Sequence, residues 1–211
     1  MVWQIIVAAV IGYLLGAVPG GYVMGRLTRR IDIRDYGSGK TGATNALRSL
    51  SLWAVAGVLV IDLGKGAVAV SIARAFSGDA WPQAFAALGV LVGHVWPVWL
   101  RFRGGRGVSA AYGSLLGMNP LVALALLPVA LLIVGSTRYV SLMSVSMAPI
   151  AAAVFLALAL AGLLPFAYAA FAIAAAVLIV ALHRDNIRRL LAGTERKIGQ
   201  KERVAQHMGG S

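Results

Sequence analysis

Three stretches of the chain gather residue types suited to holding phosphate. The first reads Gly37-Ser38-Gly39-Lys40-Thr41-Gly42-Ala43-Thr44-Asn45-Ala46-Leu47-Arg48, so three glycines, three hydroxyls, an amide and two cations fall within twelve residues. Glycine lets backbone N–H groups converge on an oxyanion, hydroxyls add donors, and arginine offers a planar fork that matches a phosphate. Gly39-Lys40-Thr41 looks like the end of a nucleotide-binding P-loop, but Arg34 stands where that motif needs its first glycine, and no buried strand precedes it. The second stretch is Gly93-His94-Val95-Trp96-Pro97, then Arg101 and Arg103-Gly104-Gly105-Arg106-Gly107. It falls between two apolar runs, where free N–H groups and the positive end of a helix favour an anion. The third begins His183-Arg184-Asp185-Asn186 and continues through Arg188, Arg189, Gly193, Glu195 and Lys197. At helical spacing His183 and Asn186 share a face, and Ile187, Leu190 and Leu191 form an apolar stripe that fits a membrane surface. Blander readings compete with each: a solvated turn, an ordinary basic loop, and an amphipathic tail gripping anionic lipid.

The elements that carry these stretches are membrane helices. Of 211 residues, 60% are hydrophobic and only 12% charged, about half the charged fraction that a soluble domain uses to cover its surface. Apolar runs at 2–24, 52–76, 83–100, 107–118, 119–135, 140–161 and 163–182 predict seven helical segments. The piece at 107–118, only ~18 Å long at 1.5 Å per residue, is either a thin span or a re-entrant one, and if the whole 107–135 pair only dips in, five full spans remain. Asn119-Pro120 separates it from its successor. The first run has no basic residue before it and many after it, the reverse of a secretory signal. With the N-terminus outside, alternating loops place seventeen of the nineteen Lys and Arg on one side, which the positive-inside rule makes cytoplasmic, together with the C-terminus. The net charge of +12 then needs no nucleic acid as partner. Asp62 and Lys65 fall three apart within one span and are expected to pair, and His94 is expected as a packing donor; these three support the site. Trp96 and Trp99 read as interface anchors. The chain has no cysteine, which excludes disulfides, zinc thiolates, iron–sulfur clusters and thioester chemistry. No His, Asp or Glu cluster has metal-ligand spacing, so no metal is predicted. Residues 1–205 read as a single polytopic domain, and 206–211, with His207, as a flexible or cloning-derived tail without a role.

All three stretches, in order and at the ends of spans, resemble the PlsY family of bacterial acyl-phosphate:glycerol-3-phosphate acyltransferases. The family's motifs run approximately GSGNxGATN followed by Arg, GHxxP followed by KGGKGVA, and HRxNIxRLLxGxExKIG. Here they stand as GSGKTGATN with Arg48, GHVWP with RGGRGVS, and HRDNIRRLLAGTERKIG; Thr137 to Ser141 also resembles the family. Lys40 replaces the usual Asn, Arg103 and Arg106 replace Lys, and Ser109 stands where Thr or Ala is usual. Arginine keeps the charge of lysine but changes the donor geometry.

The resemblance implies an all-α integral membrane fold of about seven helices in the bacterial plasma membrane, with its active site on the cytoplasmic face. It implies transfer of a fatty acyl group from acyl phosphate to the 1-hydroxyl of sn-glycerol 3-phosphate, giving lysophosphatidic acid and phosphate. No acyl-CoA and no cofactor are required, and a soluble acyl-phosphate synthase would supply the donor. The expected catalytic residues are Ser38, Arg48, Arg106, His183 and Asn186. Gly104, Gly105 and Gly107 with Arg106 are expected to hold the leaving phosphate; Gly37, Gly39, Thr41 and Asn45 contribute to phosphate binding beside Ser38 and Arg48. By resemblance His183, Asn186 and Glu195 position glycerol 3-phosphate, while the proton of the attacking hydroxyl goes to His183 or to the substrate's own phosphate. A sugar-phosphate transporter and a lipid-binding scaffold are the rival classes; a transporter would place its cations near the midplane.

Overall fold

The computed structural model describes residues 1–200, so the tail at 206–211 and the end of the expected domain lie outside the described residues. Every one of the seven expected apolar segments is helical. The order is α1 (Val2–Gly16), α2 (Gly20–Arg29), α3 (Ala43–Ser49), α4 (Leu52–Phe76), α5 (Ala80–Val95), α6 (Val108–Met118), α7 (Pro120–Thr137), α8 (Val140–Leu160), α9 (Phe166–Leu182) and α10 (Arg184–Leu191). Their boundaries follow local chemistry. Ser51 accepts from the Ala54 N–H, Asp79 from Trp81 and Asn119 from Val122, each opening a helix, and Pro120 occupies the first position of α7, where no N–H is needed.

Among the described residues, five stretches are long and apolar enough to cross a membrane: 2–29, 52–76, 80–100, 120–137 and 140–160. The α9–α10 pair bends by 60°, and α6 is a shorter apolar helix. Large apolar side chains face outward, among them Leu131, Leu132 and Val177, as a bundle immersed in lipid requires. The first span differs from the single run expected over 2–24. It breaks at 17–19 because Pro19 lacks an N–H, and it resumes as α2 to Arg29.

Without a hydrophobic force between helices in lipid, close packing of small residues must hold them. Gly12 and Gly16 of α1 face Gly89 and Gly93 of α5, and a Cβ at any of the four would strike the opposing backbone. Gly66 and Gly113 bring α4 and α6 together in the same way. The short α6 ends inside the bundle, where Arg74 Nη2 takes the carbonyls of Gly117 and Met118 at 2.8 and 3.1 Å. Arg74 Nε donates to Gln83 Oε1, which also accepts from the Tyr168 hydroxyl at 2.7 Å. The carbonyls at this helix end are therefore capped by a side chain of the neighbouring span.

Gly89→Val should wedge α1 from α5, costing about 1–3 kcal/mol and lowering the thermal midpoint of the detergent-solubilised protein. Gly64→Ala in α4, where nothing lies within 4 Å of the new methyl, should leave that midpoint unchanged or raise it.

Candidate active site

Asn45 organises the first polar loop. Its Nδ2 lies 2.7, 3.0 and 2.9 Å from the carbonyls of Ile33, Tyr36 and Lys40, and its Oδ1 accepts from the Ser38 N–H at 2.9 Å. With every polar atom engaged, buried Asn45 shapes the loop that presents Ser38 and Arg48. Thr41 is also fully buried, packed against Gly21.

The second loop returns on the end of α5. The Gly104 N–H donates to the Val95 carbonyl and the Gly105 N–H to that of His94, at 3.1 and 3.0 Å. These two donors are engaged with α5, which corrects the expectation of a phosphate cradle from the Gly104 and Gly105 backbone. Their work is to fold the loop so that Arg106 is displayed. Gly105 lies against the His94 ring, leaving no room for a Cβ, and Gly107 starts α6 from a left-handed φ of 85°.

Beneath that loop, Lys65 Nζ contacts Asp62 Oδ1 at 2.8 Å, His94 Nδ1 at 2.8 Å and the Val18 carbonyl at 3.0 Å. The expected Asp62–Lys65 pair is present, and it does more than cancel charge. Lys65 satisfies the carbonyl left open by the α1–α2 break and grips His94, on which the Gly104–Gly105 turn rests. His94, expected as a packing donor, is an acceptor for Lys65 through Nδ1.

At the α9–α10 bend, His183 Nδ1 donates to the Ile179 carbonyl at 2.7 Å. Asn186 Nδ2 donates to Glu195 Oε1 and Arg189 Nε to Glu195 Oε2, both at 2.7 Å. Burial raises the Glu195 pKa, but the bonds from Asn186 and Arg189 outweigh it and hold it below the usual glutamate value. Burial lowers the His183 pKa, and the Arg106 charge adds to that against the Ile179 bond, so the ring is neutral at physiological pH.

Ser38, Arg48, Arg106, His183, Asn186 and Glu195 line a single polar cavity of about 440 Å³. The expected residues Gly37, Gly39, Thr41, Asn45, Gly104, Gly105 and Gly107 are not on its lining. Arg189, Lys197 and Ser141 line it as well; the hydroxyl of Ser141, in the first turn of a largely apolar helix, was the available sequence signal. Segment 197–200 closes one side, with the Ile198 N–H on the Arg138 carbonyl and Arg138 Nη2 on the Ile198 carbonyl. Burial first, then repulsion from Arg189, lowers the Arg106 pKa. Arg106 Nε and Asn186 Oδ1 are buried without a partner. Crowded cations around one cavity describe a site suited to an anion. A second cavity of about 400 Å³, almost wholly apolar, runs between α4, α6, α7, α8 and α9. Ser144 lines both.

This arrangement has known counterparts. The family model described as glycerol-3-phosphate acyltransferase matches residues 6–193. The chain belongs to that family. A glycerol-3-phosphate acyltransferase of Synechococcus sp. (strain JA-3-3Ab) is 47% identical, over 93% of this chain and 94% of the relative. The one from Synechococcus sp. (strain CC9902) is 44% identical, over 90% and 94%. Crystal structures of PlsY (YgiH), an integral membrane glycerol 3-phosphate acyltransferase, superpose with TM-scores of 0.84 in its glycerol 3-phosphate form and 0.82 in its lysophosphatidic acid form. Both are 37% identical and cover 92% of this chain, and 96% and 94% of theirs. Like those relatives, this member of the acyltransferase family is a multi-pass integral membrane protein.

Removing one partner of a buried ion pair strands the other. Lys65→Met alone should destabilise this acyltransferase-family fold by about 3–5 kcal/mol, and Asp62→Leu with Lys65→Met should recover much of that, read as thermal midpoints in detergent.

Proposed function

We propose that the chain transfers a fatty acyl group from acyl phosphate to the 1-hydroxyl of sn-glycerol 3-phosphate, producing lysophosphatidic acid and inorganic phosphate in the first acylation of phospholipid synthesis. The observation that carries this reading is the junction at Ser144 of a cation-lined cavity with an apolar slot. Two phosphorylated substrates, one soluble and one lipid, meet there. The slot takes the acyl chain, at about 0.8 kcal/mol per buried methylene. The glycerol-3-phosphate and lysophosphatidic acid forms of the related PlsY crystal structures support a polar acceptor and a lipid product.

An acyl phosphate is already activated, so no acyl-enzyme is needed. The 1-hydroxyl oxygen attacks the carbonyl carbon, the bond from that carbon to the phosphate oxygen breaks, and phosphate leaves and takes up the proton. Arg106 and Arg48 stabilise charge on the phosphates while Ser38 orients one of them. Arg106, half-buried, acts more strongly than a fully exposed cation because less water screens it. The excess of basic residues on one side supports a cytoplasmic site in the bacterial plasma membrane, an outside N-terminus, and acyl phosphate delivered by a soluble synthase.

The test is the purified protein in lipid vesicles with acyl phosphate and labelled glycerol 3-phosphate. Lysophosphatidic acid and phosphate should form in equal amounts, and acyl-CoA should not replace the donor. Uptake of glycerol 3-phosphate without acyl transfer would instead assign a transporter. Arg106→Met should lower kcat/KM roughly 100- to 1000-fold, the loss seen when one charge-stabilising donor is removed.

A further inference from the structure

Acyl phosphate is a mixed anhydride, and water can attack its carbonyl as the glycerol hydroxyl does. A water oxygen bonding to that carbon breaks the same link to phosphate, its proton leaves with the phosphate, and a fatty acid forms in place of the ester. Water outnumbers any dissolved alcohol by orders of magnitude, and a cavity of about 440 Å³ lined by polar groups has room for it. A transferase using such a donor therefore needs something that keeps water off the carbonyl once both substrates are in place.

The chain past α10 is built as such a barrier. Lys197, Ile198, Gly199 and Gln200 line the polar cavity and are themselves exposed, so the segment stands between cavity and solvent. It belongs to no helix, and ordering such backbone costs conformational entropy at each residue. It is nevertheless fastened at both ends. On the near side Glu195 is held by Asn186 Nδ2 and Arg189 Nε, at 2.7 Å each. On the far side Arg138, between α7 and α8, clasps Ile198 twice. The Arg138 carbonyl accepts from the Ile198 N–H at 2.9 Å, and Arg138 Nη2 donates to the Ile198 carbonyl at 2.7 Å. The Lys197 N–H donates to Gln200 Oε1 at 2.9 Å, and Lys197 Nζ lies 5.2 Å from the centre of the Tyr139 ring. Gly199 makes the turn at a φ of 81°, and a Cβ there would come within 3.1 Å of Arg138 Nη2.

The clasp sits beside the place where the acyl group would change hands. Just after Arg138, Val140 and Ser141 line the polar cavity, Met143 lines the apolar slot, and Ser144 lines both. The α7–α8 corner that carries Arg138 is thus the rim of the junction where the donor's carbonyl would lie, and the segment runs from that rim to the foot of α10. Arg138 itself is exposed and is not on the cavity lining, so its side chain acts on the site through the segment it holds. We propose that residues 197–200 form a fixed strap that keeps water from the acyl phosphate when both substrates are bound, and that Arg138 is the positioning residue that holds the strap in place. This rests on the acyl-transfer reading and adds to it the means by which glycerol 3-phosphate is chosen over water.

The test counts products from the purified protein in lipid vesicles, with a long-chain acyl phosphate, saturating glycerol 3-phosphate, and the protein-free rate subtracted. Phosphate reports every donor consumed, and lysophosphatidic acid reports only those passed to glycerol 3-phosphate. The difference is hydrolysis, and it appears as free fatty acid. Wild type should release about one phosphate per lysophosphatidic acid. Arg138→Met removes the Nη2 donor, and Gly199→Val forces a branched side chain into a left-handed turn and against Arg138. Each variant should release at least roughly two phosphates per lysophosphatidic acid, as a site opened to water would.

A strap that served only stability would lower both products together and leave their ratio unchanged, and an unchanged ratio in the folded variants overturns the proposal. A wild-type ratio well above one does so too, because the intact strap would then not be excluding water. Should Arg138→Met not fold, Gly199→Val decides alone. Gly199 lies past the last helix of the described residues, and a Cβ there meets only Arg138 within 4 Å. A wild type that forms no lysophosphatidic acid rejects the acyl-transfer reading itself, whereas excess phosphate beside lysophosphatidic acid leaves that reading standing and removes only the strap.

Discussion

Cations held half out of water with too few anions beside them govern this structure. Arg106 is half-buried, its Nε has no partner, and its neighbours in the cavity include Arg48 and Arg189. Glu195 answers part of that charge but is divided between Arg189 and Asn186. Such a site forms because it borders solvent, and the same deficit underlies the phosphate-ester binding proposed for it, since each oxygen of such a ligand would meet donors already aimed and partly desolvated.

The rest of the fold holds those cations in place. Glycine contacts pull α1 onto α5 and α4 onto α6, which brings Asp62, Lys65 and His94 within hydrogen-bonding distance of one another. Lys65 then ties three things that sequence order keeps apart: the break in the first span, α4, and the end of α5. Because the Gly104–Gly105 turn hangs from the carbonyls of Val95 and His94, the placement of Arg106 depends on how firmly that buried cluster is set. On the other side, the bend after α9 carries His183 and Asn186, and the chain after α10 folds back to bring Glu195 beneath them. Rigid helices supply the frame, and short polar loops at one end of the bundle supply the chemistry.

Much of this was legible in the sequence because bilayer and phosphate both impose strong compositional demands. The apolar runs marked the helices, and the Asp62–Lys65 spacing announced a pair. Ser38, Arg48, Arg106, His183, Asn186 and Glu195, named from three distant stretches, meet in one cavity. Direction and division of labour were hidden. A glycine-rich loop looks like a phosphate cradle whether its N–H groups are free or bonded to the preceding helix, and only coordinates show that those of Gly104 and Gly105 are bonded. Asn45 looked like a ligand because its type suits one, yet four bonds to its own loop leave it nothing to offer. The break at 17–19 was masked by the unbroken apolarity around Pro19. The capping of α6 by Arg74 was masked because a single cation at the end of an apolar run carries no sign of which helix it will cap. Ser144 was lost among small residues that helix packing would use anyway.

The central claim is that the three basic stretches form one pocket at one face of the membrane. Single cysteines placed at the exposed positions Lys40, Arg103 and Arg188 of this cysteine-free chain, probed with a membrane-impermeant maleimide on sealed vesicles of known orientation, test it most directly. The account predicts that all three react from the same side, the cytoplasmic one. Labelling of any one of them from the opposite side would separate the stretches across the bilayer and contradict it.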